Sequence, residues 1–151
     1  MRMSPLPTDL VFGSDAKRFA IPKDSGAKGH LARAITSAMC SYGPVWIYPH
    51  DSMVWQPSQN VETFKSLLKA YDSTFDTLEG SIYWCGADEE DCVYSLVSLP
   101  LFFVWSLGLA SGSDPSTQVF FSHDEVMESS SNNPAHRDEL GSILRHYSSL
   151  S

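Results

Sequence analysis

Between Leu101 and Leu109, the residues Phe103, Trp105, Leu107 and Leu109 alternate with Val104, Ser106 and Gly108. A period of two is the signature of a half-buried strand, not of a helix. The run gives way to Ser111-Gly112-Ser113-Asp114-Pro115, which has turn chemistry, and Val119-Phe120-Phe121 follows as a second β-type run. Two such runs joined by so short a turn pair antiparallel, because a parallel pair needs a crossover of a dozen residues or more.

The remaining elements are read from local signals. A short strand is expected around Phe19 to Ile21. Asp24 or Ser25 caps a helix in which Ala27, Leu31, Ala34, Ile35, Ala38, Met39 and Tyr42 fall at helical spacing, with Gly43 and Pro44 as its stop. Val45 to Tyr48 and Met53 to Trp55 read as two strands about the turn Pro49-His50-Asp51-Ser52, a hairpin in the simplest reading. Asn60 caps a second helix with the stripe Phe64, Leu67, Leu68, Tyr71 and Phe75, the cleanest amphipathic pattern in the chain.

Ser81 to Cys85 is expected as a short strand. Asp88 is expected as the N-cap of a third helix running to about Ser98, ahead of Pro100, with Glu89, Glu90 and Asp91 in its first turn. Ser129 to Pro134 reads as a polar linker, and Ala135 to Tyr147 as a last helix with Leu140, Ile143, Leu144 and Tyr147 inward. Helices and hairpins alternate without a regular βαβ repeat. The expected fold is α+β, a mainly antiparallel sheet built from hairpins with about four helices packed on it. At 151 residues the chain suits one domain spanning 1–151, with 1–15 a loosely ordered lead and 129–135 a linker to the last helix.

The net charge of −8 is unevenly distributed. Residues 1–69 carry eight Lys and Arg against five acids, a sum of +3. Residues 70–136 carry no Lys or Arg and eleven acids, a sum of −11, and residues 137–151 balance two against two. Binding to nucleic acid is not expected, since phosphates demand Lys and Arg. Nor is a membrane segment: the most apolar stretch, Val93 to Ala110, is interrupted by Ser95, Ser98, Pro100, Ser106 and Gly108. The opening MRMSPLPTDL lacks the apolar run of a signal peptide, and three cysteines (Cys40, Cys85, Cys92) are an odd count. Reduced thiols and a cytoplasmic location are the expectation.

Several patterns are candidates for chemistry. Two His-Asp dipeptides, His50-Asp51 and His123-Asp124, each follow an aromatic-rich run. Brought side by side they would suit a divalent metal and a small metal-dependent hydrolase; read separately they are strand-ending turns. No spacing such as H-E-x-x-H imposes a geometry. The cysteines lack a local activator, and Cys92 follows four acids that disfavour a thiolate, so buried structural thiols are expected. Gly26-Ala27-Lys28-Gly29 before a helix has no Walker pattern. No cofactor is expected.

The acidic span is the more informative feature. A charge-complemented helix start explains Asp88, Glu89, Glu90 and Asp91, but not eleven acids without a base. Binding a basic partner explains the excess, and solubility is the plainer explanation. Four Trp residues (Trp46, Trp55, Trp84, Trp105) add aromatic anchors to that acidic setting.

In size, acidity and mixed pattern, and through Leu101-Phe102-Phe103-Val104-Trp105 and Phe120-Phe121-Ser122-His123-Asp124-Glu125, the chain resembles the small acidic immunity proteins of bacterial polymorphic toxin systems. The likeness covers about half the chain and includes no diagnostic motif. It implies a non-enzymatic inhibitor that presents carboxylates, in place of phosphates, to a basic protein partner, a toxin. The contact residues on that reading are Asp88, Glu89, Glu90, Asp91, Asp124 and Glu125, with Trp84 as an anchor. The alternatives are the hydrolase using His50, Asp51, His123 and Asp124, or a structural or adaptor domain.

Overall fold

The structure, a computed structural model, describes residues 2–3, 16–49, 66, 69–70, 83–112 and 116–150. The strands are β1 (Arg2–Met3), β2 (Lys17–Ala20), β3 (Val45–Pro49), β4 (Tyr83–Cys85), β5 (Leu107–Ser111), β6 (Thr117–Ser122) and β7 (Val126–Ser131). The helices are α1 (Ser25–Ser41), α2 (Glu90–Phe103) and α3 (Pro134–Ser148). The strands form one sheet in the order β1-β4-β3-β5-β6-β7-β2, in which every neighbouring pair is antiparallel. Six strands have three residues or more, and the two-residue β1 makes the seventh at one edge. The α+β class and the antiparallel sheet are therefore as the residues indicated.

The hairpin at residues 107–122 is present, with Leu107 opposite Phe121 and Ser111 opposite Thr117. β7 extends it into a three-stranded meander. Alternation along these strands sends Val45, Ile47, Tyr83, Leu107, Leu109, Val119, Phe121 and Met127 into one core. Leu31, Ile35 and Met39 of α1, Val93, Leu96 and Val97 of α2, and Leu140 and Leu144 of α3 complete that core, so all three helices cover the same face. β5 is buried along its whole length, as befits the central strand. Trp46, Tyr48, Trp84, Ala110 and Phe120 alternate to the opposite face, where Trp46 stands across from both Trp84 and Ala110.

Asp24 is the N-cap of α1 and its carboxylate accepts the Ala27 N–H at 2.8 Å. Asn133 caps α3 in the same way through Ala135, with Pro134 in the first turn. At the other end of α1, Ser111 on β5 donates its hydroxyl to the Met39 carbonyl at 2.6 Å, tying the helix to the sheet. No helix among the described residues is long and apolar enough to cross a membrane.

Several boundaries differ from the expectation. The helix beginning near residue 88 does not stop before Pro100 but carries it inside and runs to Phe103. Burial of Leu96, Val97, Leu99, Pro100 and Leu101 outweighs the hydrogen bond that proline cannot donate, so residues 101–103 are helix and the strand starts at Leu107. The N-cap is Glu89, not Asp88, and it makes no side-chain cap bond. Residues 129–131 are strand rather than linker, because Ser129 and Ser131 are buried in register with Val119 and Thr117.

β3 is bordered by β4 and β5, which together occupy both edges of Val45–Ile47 where a simple hairpin with residues 53–55 was expected. Residues 53–55 lie outside the described residues. The described helices number three rather than about four. Of the helix expected from Asn60, only Ser66, Lys69 and Ala70 are described, and they are helical.

Candidate functional site

The two ends of the sheet carry different chemistry. At one end lie Val45, Cys85, Ser111, Thr117 and Ser131; at the other lie Pro49, Leu107, Phe121 and Val126. The Leu107 end receives both the α2–β5 connection and the β6–β7 turn. Ser106 joins them, because its hydroxyl oxygen accepts the His123 backbone N–H at 3.1 Å and bonds His123 Nδ1 at 3.0 Å. With that hydroxyl donating, Nδ1 is the acceptor and the ring proton sits on Nε2, which faces Asp124 Oδ1 at 3.5 Å.

A Ser–His–Asp sequence of contacts invites a nucleophile reading. Ser106 is only 1% exposed, however, and its oxygen is already held by the neighbouring backbone. A nucleophile must reach a substrate atom, and this one is enclosed. The arrangement is a staple that fixes one loop on the other.

The stapled corner is strained and partly apolar. The only non-glycine residues with positive φ among the described ones are Val104 (58°) and Glu125 (60°), one in each of the two loops. Val104 ends α2 in the left-handed conformation, and the Trp105 N–H donates back to the Pro100 carbonyl at 3.3 Å. A β-branched residue is a poor occupant of that region. Glu125 occupies the third loop position of a three-residue hairpin, where glycine is the usual choice. Such strain concentrates where function holds it in place.

Beside these residues Phe102 and Phe103 are 44% and 38% exposed, and Phe103 stacks on the buried Trp105 with ring centres 5.1 Å apart. Asp124 and Glu125 are both exposed. The rim is not purely acidic: the Ile21 N–H donates to the Glu125 carbonyl at 2.9 Å, which brings in the chain leading to the exposed Lys23.

Replacing Glu125 with glycine removes the steric penalty of a left-handed side-chain-bearing residue. Equilibrium denaturation is expected to show a gain of about 0.5–1 kcal/mol for Glu125→Gly. A loss of stability would place the turn in an unstrained state.

The acidic residues singled out in the sequence do not form one face. Asp88 and Glu89 follow β4, and Glu90 and Asp91 open α2, all at the Cys85 end. Asp124 and Glu125 occupy the β6–β7 turn at the opposite end, three strand steps across the sheet, or about 14 Å sideways at the usual strand spacing. Glu89 is turned to local use, its carboxylate accepting the Gly86 N–H at 2.7 Å. Glu128 pairs with Arg18 at 2.6 Å. Trp84 is half-buried on the face away from the helices, in a cross-strand row with Trp46, and remote from Asp124. Phe102 and Phe103, which the alternation placed in a strand, are instead exposed in the last turn of α2.

For the two His-Asp dipeptides, β3 and β6 both border β5 and end at the same end of the sheet. His50 and Asp51 lie outside the described residues. His123 is engaged by Ser106 and Asp124, and no group of three or more His, Cys, Asp or Glu suited to a metal ion occurs among the described residues.

All three thiols are reduced and buried. The Cys85 thiol donates to Cys92 Sγ at 3.5 Å. That bond, with burial, pushes the Cys85 thiol far above its ordinary range. The same bond pulls Cys92 below its ordinary range, against the effects of burial and Glu89. Cys40 is pushed up to about 11 by burial, then by the charges of Glu90 and Cys92. The sequence showed four acids before Cys92 but not the partner thiol that the fold places against it.

No protein-family model, curated protein or solved structure matches the chain.

Proposed function

We propose that this protein is a non-enzymatic binding protein, an immunity-type inhibitor that docks a basic protein partner on the corner formed by Phe102, Phe103, Asp124 and Glu125. The observation that carries the reading is that two exposed aromatic rings end α2 and an exposed carboxylate turn follows β6, on the two connections that the Ser106–His123 contacts tie together. Both lie within a 67-residue span, 70–136, that holds no Lys or Arg. Aromatic rings supply the desolvated anchor of an interface, while surrounding carboxylates steer a basic surface toward it and exclude acidic ones. The Ser106–His123 staple and the left-handed Val104 and Glu125 hold that surface in one shape before the partner arrives, which lowers the ordering cost of association. The second acidic segment, Asp88–Asp91, extends the attractive field from the far end of the sheet and is not part of the anchor.

The partner is sought first in the neighbouring gene, where a toxin is encoded beside its inhibitor, and its association is then followed kinetically. The on-rate is expected to fall at least about tenfold between low and high salt, because exposed charges are screened beyond a Debye length. Phe103→Ala is expected to weaken binding about tenfold, mainly through faster dissociation. Asp124→Asn with Glu125→Gln should instead slow association. A partner with an acidic or neutral surface, or an on-rate insensitive to salt, would overturn the reading.

A further inference from the structure

Cys85 closes β4 and Cys92 sits in the first turn of α2, so their side chains meet across the connection that carries Asp88 and Glu89 and leads into Glu90 and Asp91 at the start of α2. Their sulfurs are 3.5 Å apart, and a disulfide at about 2.05 Å requires an approach of roughly 1.5 Å. We propose that Cys85 and Cys92 are an oxidation site, which a small cationic disulfide converts into an intramolecular disulfide that clamps the acidic segment 88–91 onto the end of β4. The proposal does not depend on the identity of any protein partner.

Three observations support it. The sulfur pair is already in contact, and Cys85 hydrogen-bonds Cys92 in the sense that favours a thiolate at Cys92, the attacking species in exchange. The way in is the start of α2, where Asp91, the residue before Cys92, is exposed, and helix ends open locally more readily than the core. Finally, the four neighbouring carboxylates repel anionic disulfides such as oxidised glutathione and attract cationic ones.

The chemistry balances with cystamine as the oxidant. The Cys92 thiolate attacks one cystamine sulfur, forming a mixed disulfide and expelling one cysteamine thiolate, which takes up a proton. Cys85 then loses its proton and attacks the Cys92 sulfur, expelling the second cysteamine. Two protein thiols and one cystamine become one protein disulfide and two cysteamines. The product closes an eight-residue ring from Cys85 to Cys92.

The test uses the full chain, folded and free of reductant, incubated with cystamine and then quenched by acid and alkylated. Two of the three thiols are expected to disappear, with the chain lighter by two hydrogens, about 2 Da. Proteolysis after Glu89 and Glu90 cuts between the two cysteines, so their peptides stay joined only through the disulfide. Oxidised glutathione at the same concentration should react at least about tenfold more slowly.

Cys40→Ser should still form the link, whereas Cys85→Ala should stop at a cysteamine adduct on Cys92. If Cys85→Ala fails to fold, the peptide map of the unmodified chain decides alone. A stable cysteamine adduct on the unmodified chain without a Cys85–Cys92 link, a link through Cys40, or retention of all three thiols while the unfolded chain reacts would each overturn the proposal.

Discussion

Trp105→Ala is expected to lower the unfolding free energy by about 3–5 kcal/mol, the largest truncation effect expected among the described residues. Trp105 is 1% exposed and is the bulkiest fully buried side chain among the described residues, standing where α2 hands over to β5. Removing the indole leaves a cavity that the stapled Ser106 and the paired Leu107 cannot close, because both are held in register with the β6 side of the sheet. It also takes away the surface on which Phe103 stacks, so the variant should lose docking as well as stability. Chemical denaturation measures the first effect and partner titration under stabilising conditions the second. Trp105→Phe, which keeps an aromatic ring there, should recover at least half of the stability. A loss below about 1 kcal/mol for Trp105→Ala would mean that the site collapses, contrary to a core pinned on both sides.

Gly108→Ala is the second large effect and has a different cause. Gly108 lies opposite Tyr48 on the face away from the helices, and the Tyr48 ring lies over its Cα, so an added methyl would overlap Tyr48 Cε2 and Cζ. Tyr48 is buried, and Ala110 beside it is completely so, which leaves the ring little room to swing aside. Burial also holds the Tyr48 phenol protonated well beyond its ordinary range. The expected cost is about 2–3 kcal/mol, even though alanine is intrinsically better than glycine in a strand. The diagnostic experiment is a double-mutant cycle. In a Tyr48→Ala background the same Gly108→Ala change should become neutral or stabilising, and additivity of the two changes would refute the direct contact.

Two observations support the Leu107 end of the sheet as the proposed docking surface. Both positive-φ side-chain-bearing residues of the described chain lie there, in loops that belong to different elements, and so do the exposed Phe102 and Phe103. A helix ending purely for structural reasons would more commonly do so at glycine. At the other end, the acidic segment after β4 has its own local chemistry in the Cys85–Cys92 pair. The described acids of the negative span thus lie at two places on the molecule rather than on one continuous face.

Much of the architecture was legible from neighbours in sequence. Asp24 as a cap, Gly43 as a stop and the short return of the chain from one β-type run to the next are all signals within a few residues, and each marks an element that is present. The alternation read over Leu101–Leu109 reported a strand in its second part only, since residues 101–103 are helix and the strand starts at Leu107. The charge asymmetry was likewise fully readable, since it is a property of the residues alone.

What could not be read depends on contacts between distant residues. Pro100 signals a helix end locally, yet the apolar residues on either side of it gain more from packing on α1 and the sheet than the missing hydrogen bond costs. That one displacement turned Phe102 and Phe103 from strand residues into the exposed last turn of a helix. Strand order likewise sent Asp88–Asp91 and Asp124–Glu125 to opposite ends, brought the β3 and β6 ends alongside β5, and set Cys85 against Cys92. Spacing along a chain carries the period of an element and the chemistry of its caps. It does not carry which edge a strand will pair with, because that choice is set by the apolar area buried over the whole core.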